Sequence, residues 1–135
     1  LVQNYFEQYL GQFPAQVFDK INENFIRCSF FELVSRYLSM CYTFAIEQNN
    51  SEGRADFEMT GIPGTDYYTD DRLVEFKYFK AKDAEKMLAL DAPLADHVDQ
   101  VHRYADDTLR RFPNYHVRTY VVYICANRGW KCWEV

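Results

Sequence analysis

The stretch "GRADFEMTGIPGTDYYTDDRLVEFKYF", residues 53–79, decides how this chain is read, because two segments patterned like core strands carry charges in their midst. "RADFEMT" at 54–60 alternates with period two, and "RLVEFKYF" at 72–79 is rich enough in β-branched and aromatic residues for a strand. The Gly, Pro and Asp residues of 61–71 make the loop between them. Side chains two apart in a strand share a face, so Glu75 and Lys77 are neighbours, while Val74, Phe76 and Tyr78 point the other way, toward a helix. Asp56 falls in the middle of the first segment, on the face opposite Ala55 and Phe57. Pairing of the two strands would bring two carboxylates and an ammonium together.

Outward from this stretch, "CYTFAIEQ" at 41–48 reads as a strand and "NNSEG" as the turn that makes it a hairpin with 54–60. Residues 22–40 place apolar side chains at 25, 26, 30, 33, 34, 37 and 38, a helical rhythm with Asn22 as its N-cap. Residues 3–19 have a similar rhythm that Pro14 interrupts. Residues 96–112 are helical in pattern, and Pro113 stops them. "VRTYVVYICA" and "WKCWEV" flank an "NRG" turn as a closing hairpin, and 80–95 reads as a loop. The order is helix, three strands, helix, two strands. That is a mixed α/β domain whose sheet is partly parallel, because a helical crossover separates the third and fourth strands.

A chain of 135 residues is one domain with a core of useful size, and 48% hydrophobic residues exclude a disordered tail. No apolar run reaches the length of a membrane span, and the first residues have neither the basic nor the apolar region of a signal peptide, so no membrane partner and a cytoplasmic setting are expected. The chain lacks an initiator Met and reads as a piece of a longer protein, with 1–21 as a junction helix and 22–135 as the domain proper. Cysteines 28, 41, 125 and 132 are expected to be reduced, buried thiols, since their spacing is not that of a metal site. His97 and His102 lie on different sides of a helix and read as surface residues. A net charge of −5 argues mildly against a nucleic-acid partner, although "FKYFKAK" and "LRRF" supply local cations.

Two nearby carboxylates repel unless a cation lies between them, and an all-oxygen site suits Mg²⁺ or Mn²⁺. Such an ion activates water toward a phosphodiester, and Lys77 would orient that water or stabilise charge growing on the phosphate. The plainer alternative is a salt bridge on a solvated sheet face, with Lys77 pairing Glu75 or Asp56.

Asp56 followed nineteen residues later by Glu75-x-Lys77 resembles the PD-(D/E)xK nuclease superfamily. "QVHRY" adds Gln100 and Tyr104 as a QxxxY on the following helix, which resembles the RecB-like branch. More narrowly, "NENFIRCSFFELVSRYLS", "FAIEQNNSEGRADFE", "LVEFKYF" and "QVHRYADDTLRRFP" are similar to the C-terminal nuclease-like domains of predicted AAA-type ATPases of Bacteroidetes. The resemblance implies a restriction-endonuclease-like αβββαβ core and metal-dependent hydrolysis of nucleic acid, DNA first. It implies Asp56 and Glu75 as Mg²⁺ or Mn²⁺ ligands, Lys77 as water-orienting base, and Glu23 as an accessory acid and ligand. Glu23 is preferred to Glu32 because it shares a stripe with Ile26, Phe30 and Val34. Gln100 and Tyr104 would support the site or touch substrate. An upstream ATPase would be the partner, with a homodimer left open. Ala55 stands where the superfamily's name has Pro, and Glu47 reads as a solvated hairpin charge. The competing classes are a catalytically idle copy serving as an interaction module, and a dimerisation domain whose Asp56 and Glu75 face opposite sides of the sheet.

Overall fold

The computed structural model describes residues 2–46, 55–125 and 128–135. The expected break at Pro14 is present: α1, Val2–Gly11, ends ahead of it and α2, Ala15–Phe18, begins after it, with Pro14 extended at φ −64°. Asn22 caps α3, Glu23–Leu38, by accepting the Phe25 N–H on its Oδ1 at 3.0 Å, which satisfies one of the donors a helix start leaves orphaned.

The strands are β1 (Tyr42–Ile46), β2 (Phe57–Gly61) and β3 (Asp70–Phe79), then β4 (His116–Cys125) and β5 (Gly129–Glu134). They form a single sheet in sequence order. β3 and β4 are parallel from Asp70↔His116 to Phe79↔Cys125, and the other neighbours are antiparallel. The crossover holds α5, Ala95–Arg111, as the periodicity required. It also holds a short 3-10 turn and α4, Ala84–Leu88, in the region read as a loop. Only Ala84 and Met87 of α4 are buried, too few apolar positions to establish a period.

Two cores sandwich the sheet. On one side Phe6, Phe18, Ile26, Phe30 and Val34 pack on Phe57, Phe76, Val122 and Ile124; on the other, Met87 and Val101 pack on Leu73, Val121 and Tyr123. Phe30 meets both Phe57 and Phe76 edge-on, with centroids 5.0 and 5.2 Å apart, an arrangement worth about 0.5–1.5 kcal/mol per pair beyond burial. Gly61 is required where β2 meets the following loop, since a Cβ there would lie 1.5 Å from the Tyr67 carbonyl oxygen. The β2–β3 ladder runs only from Phe57↔Val74 to Thr60↔Asp71. Among the described residues, Glu75–Phe79 therefore have a strand on their β4 side alone. The four thiols are free as expected, but Cys28 is exposed and only Cys125 is fully buried, because position 28 lies off the inward stripe of α3. Among the described residues no helix is long and apolar enough to cross a membrane.

Candidate active site at the open edge of the third strand

Glu75 and Lys77 share the α5 side of β3, as period two dictates, and Lys77 Nζ donates to Glu75 Oε1 at 2.6 Å. Glu75 is 1% exposed, and its Oε2 is buried without a hydrogen-bond partner among the described residues. Burial, then the Asp56 carboxylate, pushes the Glu75 carboxyl up to about 7, with Lys77 pulling against them. Burial alone would depress the Lys77 ammonium, but the hydrogen bond and charge of Glu75, with Glu23 and Asp56 behind it, outweigh that and raise it.

Asp56 is not in mid-strand. The β2 ladder starts at Phe57, and Asp56 sits in a bend just before it, with Ala55 in the α5-side core and Phe57 in the opposite one. The alternation in 54–60 runs on past the point where pairing begins, so it misplaces the acid. Freed from the ladder, the carboxylate reaches the open edge of β3: Oδ2 accepts the Phe76 N–H at 2.8 Å and Oδ1 accepts from Arg27 Nη1 at 2.6 Å. Arg27 is 9% exposed and also donates to Asn24 Oδ1. It was the residue missed in the sequence. It lies four positions after Glu23 on the inward stripe, and a cation on an apolar stripe was the available signal.

Glu23, at the start of α3, turns to the same edge. Its Oε2 accepts the Tyr78 N–H at 3.4 Å and its Oε1 lies 3.9 Å from Lys77 Nζ. Glu32 instead pairs with Arg36 in solvent. On α5, Gln100 Nε2 donates to Tyr104 Oη at 3.0 Å, and Tyr104 packs against the α5-side core. His97 is not a free surface residue: its Nδ1 is 2.5 Å from the Tyr123 hydroxyl, which also accepts the Leu94 N–H at 2.8 Å. Burial and the Lys77 charge both lower the His97 imidazole, so this cluster lies within the field of the site. Glu47 falls outside the described residues.

A model of the PD-(D/E)XK nuclease superfamily matches residues 21–134, nearly the whole chain. The chain belongs to the PD-(D/E)XK nuclease superfamily. No curated protein and no solved structure matches it. Membership implies nuclease chemistry on nucleic acid, in enzymes that typically use divalent metal ions, and the mixed five-stranded sheet between helices agrees with the restriction-endonuclease-like fold.

The residues of this superfamily member fit such an ion in their chemistry. Asp56, Glu75 and Glu23 offer only oxygen donors, and the partnerless Glu75 Oε2 is an acceptor that a cation would satisfy. Among the described residues, no three His, Cys, Asp or Glu side chains are gathered as a ready metal cage.

Proposed function

We propose that this domain is a metal-dependent nuclease that hydrolyses phosphodiester bonds, of DNA in the first instance, at the open edge of β3. The observation that carries the reading is Glu75: a buried carboxylate with one oxygen on Lys77 and the other unpartnered among the described residues, a costly arrangement that a bound cation would relieve. Asp56 and Glu75 would hold a Mg²⁺ or Mn²⁺ ion, with Glu23 as accessory ligand. When bound there, the ion supplies Lewis acidity to a phosphoryl oxygen and lowers the pKa of water. Lys77, held at 2.6 Å by Glu75, is placed to orient the attacking water and to stabilise charge developing on the phosphate. The Phe76 N–H and Arg27 fix the Asp56 carboxylate. The Gln100–Tyr104 pair stiffens the α5 face behind the site, in keeping with a RecB-like QxxxY, and an ATPase module joined through residues 1–21 is the partner in this reading.

One observation favours the catalytically idle alternative: the Arg27 guanidinium already neutralises Asp56, as in a purely structural ion pair. Calorimetric titration with Mn²⁺ and Mg²⁺, followed by plasmid nicking, separates the two. Wild-type binding and nicking that both disappear in Asp56→Asn and Glu75→Gln establish the nuclease. Folded protein that binds neither ion sinks the catalytic reading and leaves the interaction module.

A further inference from the structure

A cavity of about 790 Å³ opens beside the site. One wall is the α2–α3 connection with Asp19, Asn22 and Glu23; the other is the end of β3 with Tyr78 and Lys80, together with Arg128 from the turn before β5. Glu23 belongs to the cavity and to the site at once, through its approaches to the Tyr78 N–H and to Lys77 Nζ. The Tyr78 hydroxyl donates to the Phe18 carbonyl at 2.9 Å, which ties the end of α2 to β3 and fixes the spacing of the walls. The charges are sorted: acids line the helical wall, and the cations Lys80 and Arg128 stand on the sheet wall. Both cations are exposed, and neither is in a salt bridge with a described residue.

We propose that this cavity seats one unpaired nucleic-acid strand, with Lys80 and Arg128 holding phosphates next to the one presented to Glu75 and Lys77. The inference rests on the nuclease reading and narrows its substrate to single strands or frayed ends. Size suits one backbone at a time: a sphere of this volume is about 11.5 Å across, while the two backbones of a duplex stand at least the roughly 12 Å width of the major groove apart on that side. Charge decides the footprint. With a net charge of −5 the chain has no overall attraction for nucleic acid, so binding leans on cations placed where phosphates lie, as in electrostatic grooves that track a single strand, and Lys80 and Arg128 are the two at this cavity.

The test is fluorescence anisotropy of the 135-residue chain with a labelled 12-nucleotide single strand and a blunt hairpin duplex, in EDTA so that nothing is cut, from 20 to 200 mM salt. Lys80→Gln/Arg128→Gln is the variant; both positions are exposed, and a circular-dichroism melt checks that it folds. The wild type is expected to bind the strand more tightly than the duplex. The variant is expected to bind the strand at least about tenfold more weakly at low salt, with a log–log salt slope shallower by about 1.4, or about 0.7 for each lost single-strand phosphate contact. Equal affinity and slope in the variant, duplex binding as tight as strand binding, or no strand binding at 20 mM salt each overturn the proposal. Because binding is read without metal, any of these results can stand beside Mg²⁺-dependent plasmid nicking that Glu75→Gln abolishes. The nuclease reading then survives while the strand cavity does not.

Discussion

Replacing Arg27 with Met keeps most of the apolar stem and removes the guanidinium, leaving Asp56 buried without its ionic partner. The two side chains are 10% and 6% exposed and their nearest atoms are 2.6 Å apart, so the pair falls outside the surface class, whose median worth is about 0–1 kcal/mol. Breaking a buried pair from one side costs about 3–5 kcal/mol. Asp56 would retain the Phe76 N–H, a charge-assisted hydrogen bond, which places the loss near the lower end, about 3 kcal/mol. Urea unfolding at pH 7.5 in EDTA measures it, with Asp56→Asn/Arg27→Met as the double variant, expected to lose less than the sum of the single losses. Under the proposed metal site, divalent charge beside Asp56 would do part of the work of the missing guanidinium, so Mg²⁺ should stabilise Arg27→Met more than the wild type. At one hundred times its Kd, an ion adds about 2.7 kcal/mol. A loss under about 1 kcal/mol, or equal Mg²⁺ stabilisation of variant and wild type, would refute this account of how Asp56 is held.

Glu75, pushed up to about 7 chiefly by burial, is partly protonated at neutral pH and must be ionised to hold a cation. Mg²⁺ binding should therefore release a proton and tighten between pH 6 and 8, and calorimetry in buffers of different ionisation enthalpy checks it; an enthalpy independent of buffer contradicts it. Asp71 is fully buried, with Oδ1 on the Thr60 hydroxyl and Oδ2 unpartnered among the described residues, and burial followed by the Glu58 charge raises it to about 7. A carboxyl raised in the folded state binds its proton more tightly there, so its contribution is most favourable below about pH 4 and is lost as pH rises through 7. Asp71→Asn should flatten the fall of stability between pH 5 and 8 by about 2–3 kcal/mol, because about two pH units separate pH 5 from the raised value of about 7 and each is worth about 1.4 kcal/mol. Denaturant unfolding at the two pH values reads it, and an unchanged slope would count against it. Tyr123→Phe removes the hydroxyl shared by Leu94 and His97, and should lower unfolding stability by about 1–3 kcal/mol; a thermal melt unchanged from wild type would show that water replaces the hydroxyl.

The parts of the fold that were legible rest on period. Val74, Phe76 and Tyr78 against Glu75 and Lys77 fixed which face of β3 is charged, and the inward stripe of Ile26, Phe30 and Val34 singled out Glu23 over Glu32. Where the reading went astray, a local pattern had been extended past its physical cause. The alternation read through 54–60 takes in Ala55 and Asp56, which the β2 ladder does not hold, so Asp56 was put in a strand when its reach depends on being out of one. Arg27 was passed over because an inward stripe is recognised by its apolar members, and a buried cation acquires a reason only when its partner, twenty-nine residues away, is seen beside it. His97 looked like surface because its partner Tyr123 lies across the crossover, on another element.

The unpaired end of β3 has a consequence for how the molecule behaves in company. A bare strand edge is a template on which another chain can add a strand and begin an aggregate. Beyond Val74 the backbone donors of Phe76 and Tyr78 are met by the carboxylates of Asp56 and Glu23, so among the described residues the edge is closed by acids rather than by a strand. Those acids repel an approaching peptide carbonyl and yet admit a cation. The carboxylates proposed to hold a metal would thus also keep this edge of the described sheet from recruiting another strand.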